Sequence, residues 1–180
     1  MQFKKKFMSM SLLAISSLTT LSTAMAANSV TGQFKVKIQI DSACNFSTSE
    51  AQDINFGNVL AGTLASEIQT QTSATALSVK CSKGTPYIVN LTPSNGNTTG
   101  AGLMTHTAGK TDTISYQLKS DSTGLVWGNT GTSGAKGNSV SGIGKGMSIA
   151  NEHAVYASIE STTDVNIGNY TDTVTVSVIY

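Results

Sequence analysis

"SVTGQFKVKIQI" (residues 29–40) alternates strictly. Val30, Gly32, Phe34, Val36, Ile38 and Ile40 take the even positions, and Thr31, Gln33, Lys35, Lys37 and Gln39 the odd ones. A period of two with one apolar face predicts a half-buried β-strand. The far end repeats the pattern: "TDTVTVSVIY" (171–180) puts Val174, Val176, Val178 and Tyr180 on one face, and the sequence stops inside that run. A sandwich ending this way is expected to leave an edge whose unpaired backbone templates another chain. One end thus offers a spare amphipathic strand and the other an uncovered edge, a combination that two molecules can satisfy between them.

Short β-branched runs fill the interval: "DINFGNV" (53–59), "TALSVKC" (75–81), "PYIVNLT" (86–92), "DTISYQLKS" (112–120) and "HAVYASIE" (153–160). Turn signals such as "SKGTP", "PSNGN" and "STG" separate them, and no run keeps helical periodicity over three turns. Evenly spaced short strands with polar turns predict an all-β sandwich or barrel. The glycine-rich stretch 127–147 reads as a long, flexible surface connection. Its "GIGKG" (142–146) lacks the Ser or Thr after the lysine, and the helix, that a phosphate loop requires.

The first residues read as an export signal. Lys4, Lys5 and Lys6 precede an apolar run from Phe7 to Leu21, and Ala24-Met25-Ala26 gives a small-x-small cleavage pattern, so the mature chain is expected to begin at Ala27. A membrane anchor is disfavoured, because serines and threonines interrupt the run and it falls short of the ~20 residues a span needs. Removing three of the 11 lysines leaves 8 against 10 acidic residues, a net charge of −2 with no arginine. Such a chain has no electrostatic footprint for nucleic acid or anionic lipid. Cys44 and Cys81, an even pair in an exported chain, favour one disulfide over two free thiols.

Chemistry-bearing motifs are not found. There is no G-x-S-x-G elbow, no H-E-x-x-H, and no Cys or His at metal-ligand spacing around His106 or His153. Asp112, Asp121 and Asp172 fall at strand ends, where Asp commonly shapes turns. Trp127, alone in "LVWG", reads as a packing residue ahead of a ligand-stacking one. The expectation is a non-enzymatic protein with no cofactor and no metal.

Taken in order, "VTGQFKVKIQIDSAC", "INFG", "LSVKCSKGTPYIVNL", "YQLKSDSTGLVWG" and terminal "YTDTVTVSVIY" resemble the spore coat protein U family, which includes subunits of archaic, Csu-type chaperone–usher pili. "C-x-x-G-T-P-Y" at 81–87 and "Y-T-D-T-V-x-V-x-V" at 170–178 carry most of the likeness. The resemblance implies an incomplete immunoglobulin-like sandwich lacking its last strand, completed by donor-strand complementation. It implies a donor segment at 27–40 with Val30, Phe34, Val36, Ile38 and Ile40 as plugs. It further implies a pilin domain at 41–180, a Cys44–Cys81 bridge, and an acceptor and chaperone-docking edge at Val174, Val176, Val178 and Tyr180.

The partners implied are identical or related pilus subunits, a periplasmic chaperone and an outer-membrane usher. The implied destination is the cell surface, reached through the periplasm, with a role in adhesion and biofilm formation. The alternative is a spore-coat or other secreted surface protein of the same fold, in which strand 30–40 completes its own sandwich. A tip adhesin is disfavoured because it needs a second, binding domain.

Overall fold

The structure, a computed structural model, describes residues 28–47, 53–73 and 76–180. The expected signal peptide (1–26) and the expected mature N-terminus at Ala27 lie outside these residues. The chain divides into two units, Met1–Ile38 and Gln39–Tyr180.

In the first unit, the described residues 28–38 form no hydrogen-bonded strand. Strand 29–40 was expected from its alternation, and this is where the structure departs from the sequence most clearly. The five apolar side chains at Val30, Phe34, Val36, Ile38 and Ile40 are between 82% and 99% exposed. Alternation specifies a face to bury, and a strand also needs a neighbouring backbone to pair with. The first requirement is written into this segment; the second must be supplied to it.

The second unit is all-β, with one short 3-10 turn at Ala65–Glu67. Its strands are β1 (Cys44–Ser47), β2 (Gln71–Thr72), β3 (Leu77–Cys81), β4 (Pro86–Pro93), β5 (Ala101–His106), β6 (Thr113–Lys119), β7 (Val140–Ile143), β8 (Asn151–His153), β9 (Tyr156–Ile159), β10 (Tyr170–Thr171) and β11 (Val174–Ile179). They form a five-stranded sheet, β10-β5-β6-β9-β2, and two three-stranded sheets, β1-β3-β8 and β11-β4-β7, in a sandwich-like arrangement. All pairings are antiparallel.

Alternate residues of facing strands make the core. Leu77, Val79 and Cys81 of β3 and Tyr87, Val89 and Leu91 of β4 pack with Ile114, Tyr116 and Leu118 of β6 and Ala157 and Ile159 of β9. Trp127 is fully buried among them and donates from Nε1 to the Val89 carbonyl at 2.8 Å. Its role is packing, as its setting in the sequence implied. A disulfide joins Cys44 to Cys81, directly paired residues of β1 and β3 with Cα atoms 4.1 Å apart.

Two local expectations are corrected. Residues 53–59 form no strand, because Asn55 Oδ1 accepts from Gly57 N at 2.7 Å and Gly57 turns the chain at φ 72°. The glycine-rich stretch is a built part of the fold. It supplies β7, which pairs with β4, and it covers the second face of β4. Asn90 Nδ2 donates to the Gly131 carbonyl at 3.1 Å, and the buried Ser139 hydroxyl donates to Asn90 Oδ1. A Cβ at Gly131 would come within 2.8 Å of Ile88, Asn90 and Ser139, so only glycine permits this approach. With both faces covered, "YIVNL" of β4 is buried throughout, its one side-chain amide, Asn90, being hydrogen-bonded to that cover.

Candidate functional site

The core of the second unit is not closed. A cleft of about 870 Å³ opens onto Leu77, Leu91, Tyr116, Leu118 and Ala157, residues that otherwise belong to the interior. Phe46 of β1 lines it, as do Val174 and Val176 of β11, Met104 of β5, and Ile54 and Phe56 from the connection after β1. A second cleft of about 510 Å³ shares Asp53, Ile54, Phe56, Met104, Tyr170 and Thr171 with the first and continues to Ile68, Val165 and Ile167. Together they form one elongated, mainly apolar groove.

Strand edges accompany this groove. β11 is the outermost strand of its sheet and pairs only with β4 among the described residues; β1 is outermost in its own sheet and pairs with β3. Both contribute side chains to the same cleft. A further extended segment laid here would meet an apolar floor on one side and the edge of β11, which among the described residues pairs with β4 alone, beside it. Those are the two things a strand needs. Contiguous exposed apolar surface rimmed by polar residues commonly marks an interaction site.

The structure places the sequence candidates as follows. Val174, Val176 and Val178 are half-buried against the core, with the first two lining the groove, while Tyr180 lies just beyond β11 and is exposed. The plug candidates Val30, Phe34, Val36, Ile38 and Ile40 are exposed, as described above. Tyr116, Leu91, Met104 and Phe56 were not foreseen as site residues. Tyr116, Leu91 and Phe56 fall in runs read as strands and Met104 in none, and nothing in one sequence distinguishes a closed core from an open one.

Polar groups at the groove are already engaged in structure. Tyr116 Oη donates to Asp172 Oδ2 at 2.6 Å, and Thr173 N donates to Asp172 Oδ1 at 2.8 Å. Burial, reinforced by Asp172, raises the Tyr116 pKa far above that of a free phenol, so the hydroxyl remains a donor. Neither histidine is isolated. His106 is buried, with Nε2 3.1 Å from the Ile167 carbonyl and Nδ1 accepting from Ala108 N at 3.0 Å. His153 Nε2 lies 2.8 Å from Tyr87 Oη, and burial lowers the His153 pKa.

Asp121 accepts from Thr123 N and Gly124 N, both at 2.9 Å, as a turn-former should, and hydrogen bonding lowers its pKa. Asp112 accepts from Asn166 N at 2.9 Å, with the same effect. Among the described residues no three His, Cys, Asp or Glu side chains gather where a metal ion would sit. No buried side-chain polar atom among them lacks a partner. The groove is thus lined mainly by apolar side chains, with the strands β1 and β11 at its sides.

Comparison with known proteins agrees with this architecture. The fold is shared with a chain in the crystal structure of the CsuC–CsuE chaperone–tip adhesion subunit pre-assembly complex, from the archaic chaperone–usher Csu pili of Acinetobacter baumannii. The TM-score is 0.50 at 24% identity, covering 77% of this chain and 40% of that one. This chain thus spans less than half the length of that relative. No curated protein matches the sequence. A family model, the Spore Coat Protein U domain, matches residues 30–177. Most of the sequence lies within that match, and the chain belongs to the Spore Coat Protein U domain family.

Proposed function

We propose that this protein is a subunit of a chaperone–usher pilus that polymerises by strand donation. Residues 1–26 direct export, 27–40 form the donor segment, and 41–180 form the acceptor domain. The observation that carries this reading is the open groove, whose floor is the hydrophobic core itself and whose flank is the unpaired edge of β11. The exposed alternating face of 30–40 is the matching part, and donating it to a second copy closes that copy's core. The shared fold with a chain of a chaperone–subunit complex supports the same assignment.

In this reading a periplasmic chaperone covers the groove first, and an outer-membrane usher oversees replacement of its strand by the next subunit's. The fibre reaches the cell surface, where it supports adhesion and biofilm formation. Burying a Val, Ile or Phe side chain contributes roughly 1.5–3 kcal/mol. Several together approach the whole stability of a domain, about 5–15 kcal/mol. A subunit without a strand in its groove is thus marginal, and a completed fibre is robust.

The test is a heat-sensitive ladder of multimers on a gel of unboiled material. Deleting residues 28–38 should abolish the ladder while chaperone-bound monomer persists. Val36→Asp or Ile38→Lys should act alike, because an unpaired charge would have to enter a partner's core. A full-length chain that stays a stable monomer, with 30–40 protected from hydrogen exchange in its own sandwich, would instead make it a non-polymerising surface protein.

A further inference from the structure

We propose that the groove draws in its strand by charge as well as by shape: Asp53 and Asp172 at the groove attract the donating copy's segment, which carries Lys35 and Lys37. The inference rests on the donor-strand reading and adds what sets the speed of entry. The charged residues lining the two clefts are Asp53 and Asp172, both acidic. Segment 28–40 carries Lys35 and Lys37 and no acidic residue. Acceptor and donor are therefore oppositely charged, each by two.

Neither carboxylate is neutralised within its own domain. Among the described residues the one ion pair joins Lys119 to Glu160 at 3.8 Å. The bonds that Asp172 accepts from the Tyr116 hydroxyl and Thr173 N orient the carboxylate at the groove and leave its charge in place.

With Val36 and Ile38 directed into the groove, Lys35 and Lys37 share the opposite face and point away from its floor. Direct contact with the groove carboxylates is not needed for an effect, because exposed opposite charges attract over about 10 Å at 0.1 M salt. Charges of this kind act on encounter rate more than on final affinity.

The experiment follows growth of the heat-sensitive ladder from purified full-length chain over time, at low and high salt. Lys35→Glu/Lys37→Glu should slow growth about tenfold or more at low salt. Asp53→Lys should slow it comparably, and the chain carrying all three changes should recover most of the rate. Wild-type growth should slow as salt rises, and Lys35→Gln/Lys37→Gln should reach the same end point at a rate nearly independent of salt. The inference is overturned if Lys35→Glu/Lys37→Glu assembles at the wild-type rate, or if adding Asp53→Lys gives no recovery, or if wild-type growth ignores salt. Each of these leaves donor-strand exchange intact so long as deleting 28–38 still abolishes the ladder. If that deletion also polymerises, the underlying reading fails instead.

Discussion

Tyr116 of β6 hands its phenolic hydrogen to Asp172 across 2.6 Å, tying the middle of the five-stranded sheet to the link between β10 and β11. At that link the chain leaves one sheet, where β10 pairs with β5, and enters another, where β11 pairs with β4. The bond holds the sheet change at the mouth of the groove. Tyr116→Phe should therefore lower stability by about 1–3 kcal/mol, the cost of a hydrogen bond to a charged acceptor. It should also loosen β11, raising amide exchange at 174–179 more than at β9. An unchanged urea midpoint together with unchanged exchange would count against this role.

Gly102 faces Tyr116 directly across the β5–β6 pair, and a Cβ there would lie 2.1 Å from the ring carbon Cζ. The ring lies over the glycine, as Tyr87 lies over Gly142 in the β4–β7 pair. Gly102→Ala would push the ring off its place and its hydroxyl away from Asp172. We expect a loss of about 1–3 kcal/mol from overpacking, measured by urea unfolding. The double variant Gly102→Ala/Tyr116→Phe should lose less than the sum of the singles, since both break one arrangement. Strict additivity would show the two sites to be independent.

These contacts also mark how far the sequence could be read. Strands β3, β4, β6, β9 and β11 were legible because Val, Ile, Leu and Tyr alternate there in runs bounded by turn residues. β5, "AGLMTH", was missed because Gly, Met and His give little strand signal, and here the glycine exists to admit a tyrosine from the next strand. β7 was hidden inside glycine-rich sequence for a related reason, with Gly142 beneath Tyr87. Part of the candidate site was visible, namely the alternating 174–180, whose Val174 and Val176 line the groove. The groove floor was not, since Leu91 or Leu118 carries the same local pattern whether the core above it is closed or open.

The disulfide anchors β1, an outermost strand whose Phe46 lines the groove. Its 37-residue separation corresponds to a loop-closure contribution of about 4 kcal/mol. Cys44→Ser/Cys81→Ser should lose stability on that scale and should assemble poorly, because one wall of the groove is no longer tied to β3. Non-reducing peptide mapping should recover the Cys44–Cys81 peptide from wild type. Two alkylatable thiols in the native protein would contradict the bond.

His153 gives the fold an acid sensitivity. Tyr87 Oη lies 2.8 Å from His153 Nε2, burial raises the Tyr87 pKa, and the Trp127 ring lies edge-on at 6.3 Å. Burial lowers the His153 pKa, with Glu152 opposing and Lys145 adding to the shift. The unfolded chain therefore takes up a proton near pH 6.5 that the folded chain still refuses. Stability should be full above that pH and decline as pH falls below it. His153→Gln should flatten this part of the profile, measured as urea midpoints between pH 5 and 7.5; an unchanged slope would assign the effect elsewhere.

Gly32 is the remaining residue of the alternating face, and its own surroundings do not explain it. A Cβ there would meet nothing within 4 Å, and its φ is not in the left-handed region that favours glycine. A glycine that neither the local backbone nor local packing requires weakens a strand by about 0.5–1 kcal/mol relative to alanine. The reason for it must then lie in what the segment binds. If 27–40 enters a second copy's groove with Val30 and Phe34 on either side, position 32 meets a part of that groove too shallow for a side chain. Gly32→Leu should leave export, the disulfide and chaperone-bound monomer unchanged while shortening or abolishing the heat-sensitive ladder. Gly32→Ala should assemble more slowly but to completion. Thr31→Leu, one residue away on the opposite face, should polymerise as wild type does. A Gly32→Leu protein that forms a full ladder at the normal rate would show that the groove places no limit on this position, and the glycine would then have no role in assembly.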